Sequence, residues 1–347
     1  MLTPVSPNVA ALQLPDTAAD ESPYLEVQGL WADLEAALSL LLNKPTLVQQ
    51  LPHKVVQLDT WLQELIAHDS DSALYLMFQL AGSSLAGYSA SHALVCATLS
   101  HILAQEFALE PEERNALVRA AFTMNIGMTA LQDQLALQRE RPSVAQQEAI
   151  RLHAAEGCHQ LASFGVQDAL WLEVVRLHHI HMEAQTTLMQ QPAAERLARI
   201  LATCDRYAAM ISPRRSRLAR SVTESVQAIT GTQAPLYEQA GQALIRCVGQ
   251  YPPGVYVALS SGETAVVVRR TLHVGYPLVA TLLDARKVPV RKPQLIATHE
   301  QQVHITHALP IHDVNLHVDH RTLVHLGIYA ARFSDSLQQL VCLPGAR

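Results

Sequence analysis

The segment that decides the fold runs from residue 143 to residue 180 and reads SVAQQEAIRLHAAEGCHQLASFGVQDALWLEVVRLHHI. Ser143 is followed three residues later by a glutamine, which is the pattern of a capping box at the start of a helix. Gly165 suits the left-handed conformation that often closes a helix, and Asp168 can cap the next one. The segment therefore predicts two consecutive helices, the second of which ends on a pair of adjacent histidines.

Outward from this segment, histidines and an aspartate recur on further helix-like stretches. One reaction that such residues can support is metal-dependent phosphodiester hydrolysis. It needs a deprotonated water as the nucleophile and positive charge beside the phosphoryl oxygens, and a pair of metal ions bridged by a carboxylate supplies both. Imidazoles and carboxylates are suitable ligands for such ions, and successive helices can direct them into the centre of one bundle. The candidate metal ligands are His92, His153, His178, His179 and Asp205.

Composition restricts the classes of function. Of the 347 residues, 49% are hydrophobic and 16% are charged, which is typical of a well-buried globular chain of about two domains. The net charge of −6 gives no basic field for nucleic acid, and no apolar run approaches the roughly 18 residues that span a bilayer. The five cysteines are scattered without CxxC spacing, which predicts free thiols and a cytoplasmic location.

Periodicity and composition divide the chain into four predicted regions. Residues 1–22 lack periodicity and are expected to form a mobile leader. Residues 23–87 are predicted to be helical, and residues 88–250 form the helical region that carries the candidate ligands. From residue 251 the pattern changes to short alternating runs, with a hairpin on either side of a Ser-Ser-Gly turn at 260–262. Residues 251–347 are therefore predicted to form a small β-rich domain.

A second histidine group lies in this predicted domain. Isolated histidines of this kind are usually surface or loop residues, and we expect that role here. The group comprises His299, His304, His307, His312, His317, His320 and His325.

Four motifs of the central region resemble, in order and spacing, those of the HD-GYP group of the HD phosphohydrolase superfamily. They are Tyr88-Ser-Ala-Ser-His92, Leu152-His153-Ala-Ala-Glu-Gly157, Leu177-His178-His179-Ile180 and Ala202-Thr-Cys-Asp205-Arg-Tyr207-Ala208. The resemblance implies an HD-type helical bundle, so the predicted fold is mainly α, with a helical amino-terminal lead-in and the β-rich carboxyl-terminal domain. Members of the group bind two or three metals and typically hydrolyse cyclic di-GMP, and the resemblance places the five candidate ligands at their metal-binding positions.

The chain also departs from the pattern of active members. Residues 122–128 align with the segment that reads Leu-His-Asp-Ile-Gly-Lys in them, and the His-Asp doublet is replaced here. An amide in place of the aspartate bridges two cations poorly, and a thioether in place of the histidine is a poor ligand for iron or manganese. Residues 181–192 contain neither the glycine nor the tyrosine of the Gly-Tyr-Pro signature. The degenerate positions are Met124, Asn125, Met128, Ile180 and Ala208.

These losses predict a degenerate HD-GYP-type protein that serves as a non-catalytic signalling or interaction module, with no catalytic residue assigned. Met124 and Ile180 are expected to enter a dry core, each gaining roughly 1.5–3 kcal/mol from burial. The expected partner is another protein or a cyclic dinucleotide, with neither nucleic acid nor membrane, and a homodimer is an open alternative.

Two other functions stay open on the sequence alone. The first is an active metal-dependent phosphohydrolase with a reduced site that holds one divalent iron, manganese or zinc ion. The second is a scaffold similar to HDOD proteins, which share a helical HD-like core without catalysis.

Overall fold

The computed structural model describes most of the chain between residues 22 and 332. The described residues are 22–83, 87–180, 186–212, 215, 224–225, 228, 235–273, 275–299, 302–310, 314 and 318–332. The predicted leader lies outside them except for Ser22, which begins the first helix. Part of the segment that lacks the Gly-Tyr-Pro signature, residues 181–185, also lies outside them.

Helices account for most of the described chain. Before the sheet they are α1 (Ser22–Asn43), α2 (Leu51–His68), α3 (Ser70–Ser83), α4 (Tyr88–Glu106), α5 (Pro111–Thr123), α6 (Thr129–Leu137), α7 (Val144–Ser163), α8 (Ala169–Leu177), α9 (Ala193–Ile211) and α10 (Pro235–Val248). One more helix, α11 (His320–Arg332), follows the sheet. Short 3₁₀ turns occur at Pro45–Leu47, Ile126–Met128 and Leu188–Gln190.

The helix signals of the central segment are confirmed. Ser143 accepts a hydrogen bond from the backbone of Gln146, whose side chain accepts one in return, so α7 begins with a capping box. Gly165 follows α7 with a φ of 91°, and the Asp168 carboxylate accepts a hydrogen bond from the Trp171 backbone at 3.0 Å. These local caps fix the ends of the two helices that carry three of the histidines.

Helix α4 is the centre of the bundle. Its residues from Tyr88 to Ala104 are all buried, and it contacts α1, α3, α5, α6, α9 and α10. A helix buried on all sides needs small residues where neighbours approach, and its run of alanine, serine and cysteine meets that need. A histidine on α4 is therefore held inside the protein, between α4 and its neighbours.

The predicted hairpin is confirmed and extends into a five-stranded antiparallel sheet. The strands are β1 (Tyr256–Leu259), β2 (Thr264–Arg269), β3 (Leu278–Leu283), β4 (Leu295–Ala297) and β5 (Ile305–Leu309), in the order β4-β3-β2-β1-β5. In the hairpin, Val257 pairs with Ala265 and Tyr256 with Val266.

Strands β1 and β2 are buried on both faces, and their successive side chains point to opposite sides of the sheet. Val257 and Val267 join the main helical core, whereas Tyr256 and Val266 pack in a second core with Leu323 of α11. Salt bridges also join the end of β2 to the start of α3, with Arg269 to Asp69 at 2.9 Å and Arg270 to Asp71 at 2.6 Å. The sheet therefore packs directly against the helical region.

The predicted fold class, mainly helical with a small β-rich carboxyl-terminal part, is confirmed. Helix α11 was not predicted, because residues 251–347 were expected to form only strands and turns. The four-region division stays a prediction. Within the described residues, no helix combines the length and apolarity that a bilayer crossing requires.

Candidate metal centre

The five predicted ligands come from four helices of the bundle. His92 lies on α4, His153 on α7, His178 and His179 at the end of α8, and Asp205 on α9. They do not form one set of mutually close ligands. Among the described residues they divide into two groups that could each hold an ion, and the ligand atoms of each group lie within 4.8 Å of one another.

The first group consists of three histidines. The Nε2 atoms of His153 and His178 are 3.3 Å apart, and the ring centroids of His178 and His179 are 4.1 Å apart. Two imidazoles on one tetrahedral zinc ion stand about 3.3–3.4 Å apart, given metal–nitrogen bonds of about 2.0–2.1 Å. The first pair therefore has the spacing that one ion requires. Two members are buried and His179 is exposed, so the group opens toward solvent on one side.

The backbone fixes the tautomers of the two buried rings. His153 Nδ1 lies 2.5 Å from the Ile150 carbonyl, and His178 Nδ1 lies 2.7 Å from the Val175 carbonyl. A carbonyl only accepts, so each Nδ1–H donates and each Nε2 of the neutral ring carries a lone pair. Burial, together with the charge of the neighbouring His179, lowers the pKa of His178 to about 3, and burial also lowers the pKa of His153. Both rings are therefore neutral near pH 7, with their Nε2 lone pairs facing each other as a cation would require.

The second group joins two predicted ligands to a cysteine. His92 Nε2 lies 2.8 Å from Asp205 Oδ1 and 3.6 Å from Cys96 Sγ. The His92 ring stacks on Tyr88 with 5.5 Å between centroids and 14° between planes, which fixes its orientation. His92 and Cys96 are fully buried, whereas 18% of the Asp205 side chain is exposed.

Asp205 connects the two groups electrostatically. Burial raises the pKa of its carboxyl, but the hydrogen bond with His92 and the charges of His92, His179 and His178 outweigh burial and hold it well below its usual range. Asp205 is thus a carboxylate at neutral pH, and among the described residues it is the only carboxylate in either group. The donor set, four imidazoles with one carboxylate and one thiol, suits a divalent transition metal.

The degenerate doublet lies at the turn between α5 and α6. Met124 has no exposed surface and belongs to the main core, and Asn125 is 9% exposed. Gly127, two residues on, approaches α7 so closely that a Cβ there would lie 2.6 Å from the His153 carbonyl oxygen. The turn that carries the doublet therefore packs directly on the helix turn that carries His153.

The other degenerate positions differ in their surroundings. Ala208 is fully buried on α9, and Met128 is half-buried. Ile180 is 43% exposed, so the prediction that it packs into a dry core is wrong. It lies beyond Leu177, the last residue of α8, so the helix packing that buries Val174 and Val175 does not extend to it.

Cys96 is the site residue that the sequence interpretation missed. We expected its thiol to be an ordinary buried cysteine in apolar surroundings, but it shares a ligand group with His92. The spacing of Cys96 to His92 could have indicated this grouping, because residues four apart lie on the same face of a helix.

The histidines near the carboxyl terminus form no ligand group among the described residues. His320 instead makes a 2.9 Å hydrogen bond with the Tyr75 hydroxyl. His312 and His317 lie outside the described residues.

Comparison with known proteins supports the family resemblance at modest identity. No protein-family model matches the chain. A cyclic di-GMP phosphodiesterase of Pseudomonas aeruginosa is 27% identical over 210 residues, which cover 58% of this chain and 50% of that protein. The chain thus spans about half the length of the curated relative it matches. A solved structure described as an HDG"Y"P protein from Bdellovibrio bacteriovorus matches with a TM-score of 0.47 and 13% identity, covering 66% of this chain and 72% of that one.

Proposed function

We propose that this HD-GYP-like chain is a non-catalytic signalling or interaction module, related to cyclic di-GMP phosphodiesterases, that keeps a metal-binding pocket. The observation that carries the proposal is the replacement of the His-Asp doublet by Met124 and Asn125, both of which are buried. Because both replacements are neutral, the site lacks the carboxylate that would bridge two metal ions, and dinuclear chemistry depends on that bridge.

Charge supports this proposal. Two adjacent dications repel each other strongly in a buried pocket unless anionic ligands lie between them. Asp205 is the only carboxylate in the two ligand groups of the described residues, and it is already hydrogen-bonded to His92. A neutral amide at position 125 cannot supply the missing negative charge. We infer that the pocket holds separate ions, at most one in each group, and that a cyclic dinucleotide would be bound without cleavage.

A reduced but active site is the second candidate, and the three-histidine group favours it. Three histidines with an open position are a known arrangement for catalytic zinc. The ion lowers the pKa of its bound water, so that a hydroxide nucleophile is present near neutral pH. In this chain His153, His178 and His179 would hold the ion, and the open position would lie on the solvent-exposed side of the group, at His179. This candidate predicts activity on some phosphoester with one ion per chain.

The four described cysteines are free thiols, which supports a role in a reducing compartment such as the cytoplasm.

The deciding experiment is turnover of cyclic di-GMP by the full chain. Purified protein is incubated anaerobically with cyclic di-GMP and Mn²⁺ or Fe²⁺, and the linear product is followed by chromatography. The proposal predicts no product above a no-protein control, while equilibrium dialysis still detects bound metal. Turnover that is abolished by either His178→Ala or Asp205→Ala would establish the second candidate in its place.

A further inference from the structure

The group of His92, Cys96 and Asp205 has a composition of its own. His92 and Cys96 are one helical turn apart on α4, so both side chains leave the same face of that helix. Asp205 reaches the same point from α9. The thiol is what distinguishes this group from a site made only of imidazoles and carboxylates.

The distance between the thiol and the imidazole fits one tetrahedral ion. A thiolate and an imidazole on the same zinc ion stand about 3.5–3.6 Å apart, given bonds of about 2.3 Å to sulfur and 2.0–2.1 Å to nitrogen. The observed distance from Cys96 Sγ to His92 Nε2 is 3.6 Å. Asp205 Oδ1 is closer to His92 Nε2, at 2.8 Å, because a hydrogen bond joins them. A modest outward rotation of this partly exposed carboxylate would make room for an ion.

We propose that Cys96 is a thiolate ligand and that this group is a zinc-selective site. This inference rests on the proposed metal pocket, but it does not depend on whether cyclic di-GMP is cleaved. Thiolates favour zinc over manganese or magnesium, which prefer oxygen ligands. A thiolate, a carboxylate and a neutral imidazole also cancel the charge of a divalent ion.

Charge cancellation matters because the group is buried. Cys96 has no exposed surface and His92 is 2% exposed, so an uncompensated ion would be costly there. The three-histidine group supplies no negative charge of its own, and it opens to solvent through His179. The two groups therefore differ in charge: only the second can neutralise a divalent ion with its own ligands, and Asp205 is its one partly exposed member.

The test uses cobalt as a spectroscopic substitute for zinc in the full chain. Protein stripped with a chelator is titrated with Co²⁺, and the near-ultraviolet band of thiolate-to-cobalt charge transfer is recorded. We expect the band in the wild type, its loss in Cys96→Ser, and its displacement by one equivalent of Zn²⁺. Cys204→Ser is the matched control, since Cys204 is also fully buried but belongs to neither ligand group, and it should keep the band.

Zinc affinity gives a second readout. Loss of a direct ligand should weaken Zn²⁺ binding by at least the roughly 10–100-fold that follows loss of an outer-shell partner. If Cys96→Ser fails to fold, X-ray absorption at the zinc edge of the wild type should still show one sulfur neighbour at about 2.3 Å. Cobalt binding without the band, an unchanged band in Cys96→Ser, or no metal bound at all would each overturn the proposal. Cyclic di-GMP turnover by a protein that keeps the band would overturn the proposed function and leave this inference intact.

Discussion

Replacing Gly127 by alanine should destabilise the protein through a contact that the structure defines. The added Cβ would lie 2.6 Å from the His153 carbonyl oxygen and 2.8 Å from the Gly157 backbone nitrogen. Both obstacles are backbone atoms, so no side chain can rotate away. Moving the nearer contact to an ordinary 3.4 Å requires a displacement of α7 of about 0.8 Å, since 3.4 − 2.6 = 0.8. Overpacking of this kind costs about 1–3 kcal/mol, and we expect the upper part of that range.

Urea unfolding followed by circular dichroism measures the loss, and a zinc titration measures its effect on the site. The displaced helix carries His153, so Gly127→Ala should also weaken metal binding by the three-histidine group. Gly157→Ala is the matched control, because its Cβ would meet Ile126 Cγ2 at 3.4 Å and the Gly127 nitrogen at 3.5 Å, which are ordinary contacts. We expect it to be neutral or to stabilise α7 by up to about 1 kcal/mol. Equal unfolding free energies for the two variants would refute the reasoning.

Three further predictions concern charge. Burial, with the charge of a nearby arginine, lowers the pKa of His101 to about 4. The unfolded state therefore binds more protons than the folded state between pH 6.5 and 4. The unfolding free energy should fall by roughly 1 kcal/mol per pH unit as pH decreases through that window. His101→Gln should flatten this slope in urea titrations, and an unchanged slope would contradict the assignment. Asp59→Asn should cost about 3–5 kcal/mol, because it leaves buried Arg114 and half-buried Arg119 without their carboxylate. A loss below about 1 kcal/mol would show that solvent already screens these ion pairs. The double variant Met124→His with Asn125→Asp should raise the number of Mn²⁺ ions bound per chain, measured by elemental analysis, if the turn keeps its backbone conformation. Unaltered metal content in a folded variant would mean that the core has repacked around position 124.

Local signals allowed much of the fold to be predicted. The capping box at Ser143, the glycine after α7 and the hairpin depend on neighbours within a few residues, so a single sequence carries them. Helix α11 and the second face of the sheet could not be predicted in the same way. Their burial comes from packing between Leu323 and Val266, residues far apart in sequence, and no local pattern encodes that contact.

The motifs named the four histidines and Asp205 as candidate ligands, and their role as ligands stays a prediction. Their division into two groups could not be predicted, because it depends on how α4, α7 and α9 cross. The exposure of Ile180 depends on where α8 ends, which hydrophobicity alone does not reveal. The spacing of Cys96 to His92 places both side chains on one face of α4, yet a thiol on an apolar helix resembles an ordinary core residue, so its proposed role was not predicted.

Without the carboxylate of the His-Asp doublet, the protein should not hold a bridged pair of metals. The most direct measurement is anomalous diffraction from crystals of the full chain grown with Mn²⁺. We predict no pair of manganese peaks about 3.5–4 Å apart, the spacing of two-metal catalytic sites. Two peaks at that separation, joined by a shared solvent oxygen between the His153 and His92 groups, would contradict the account.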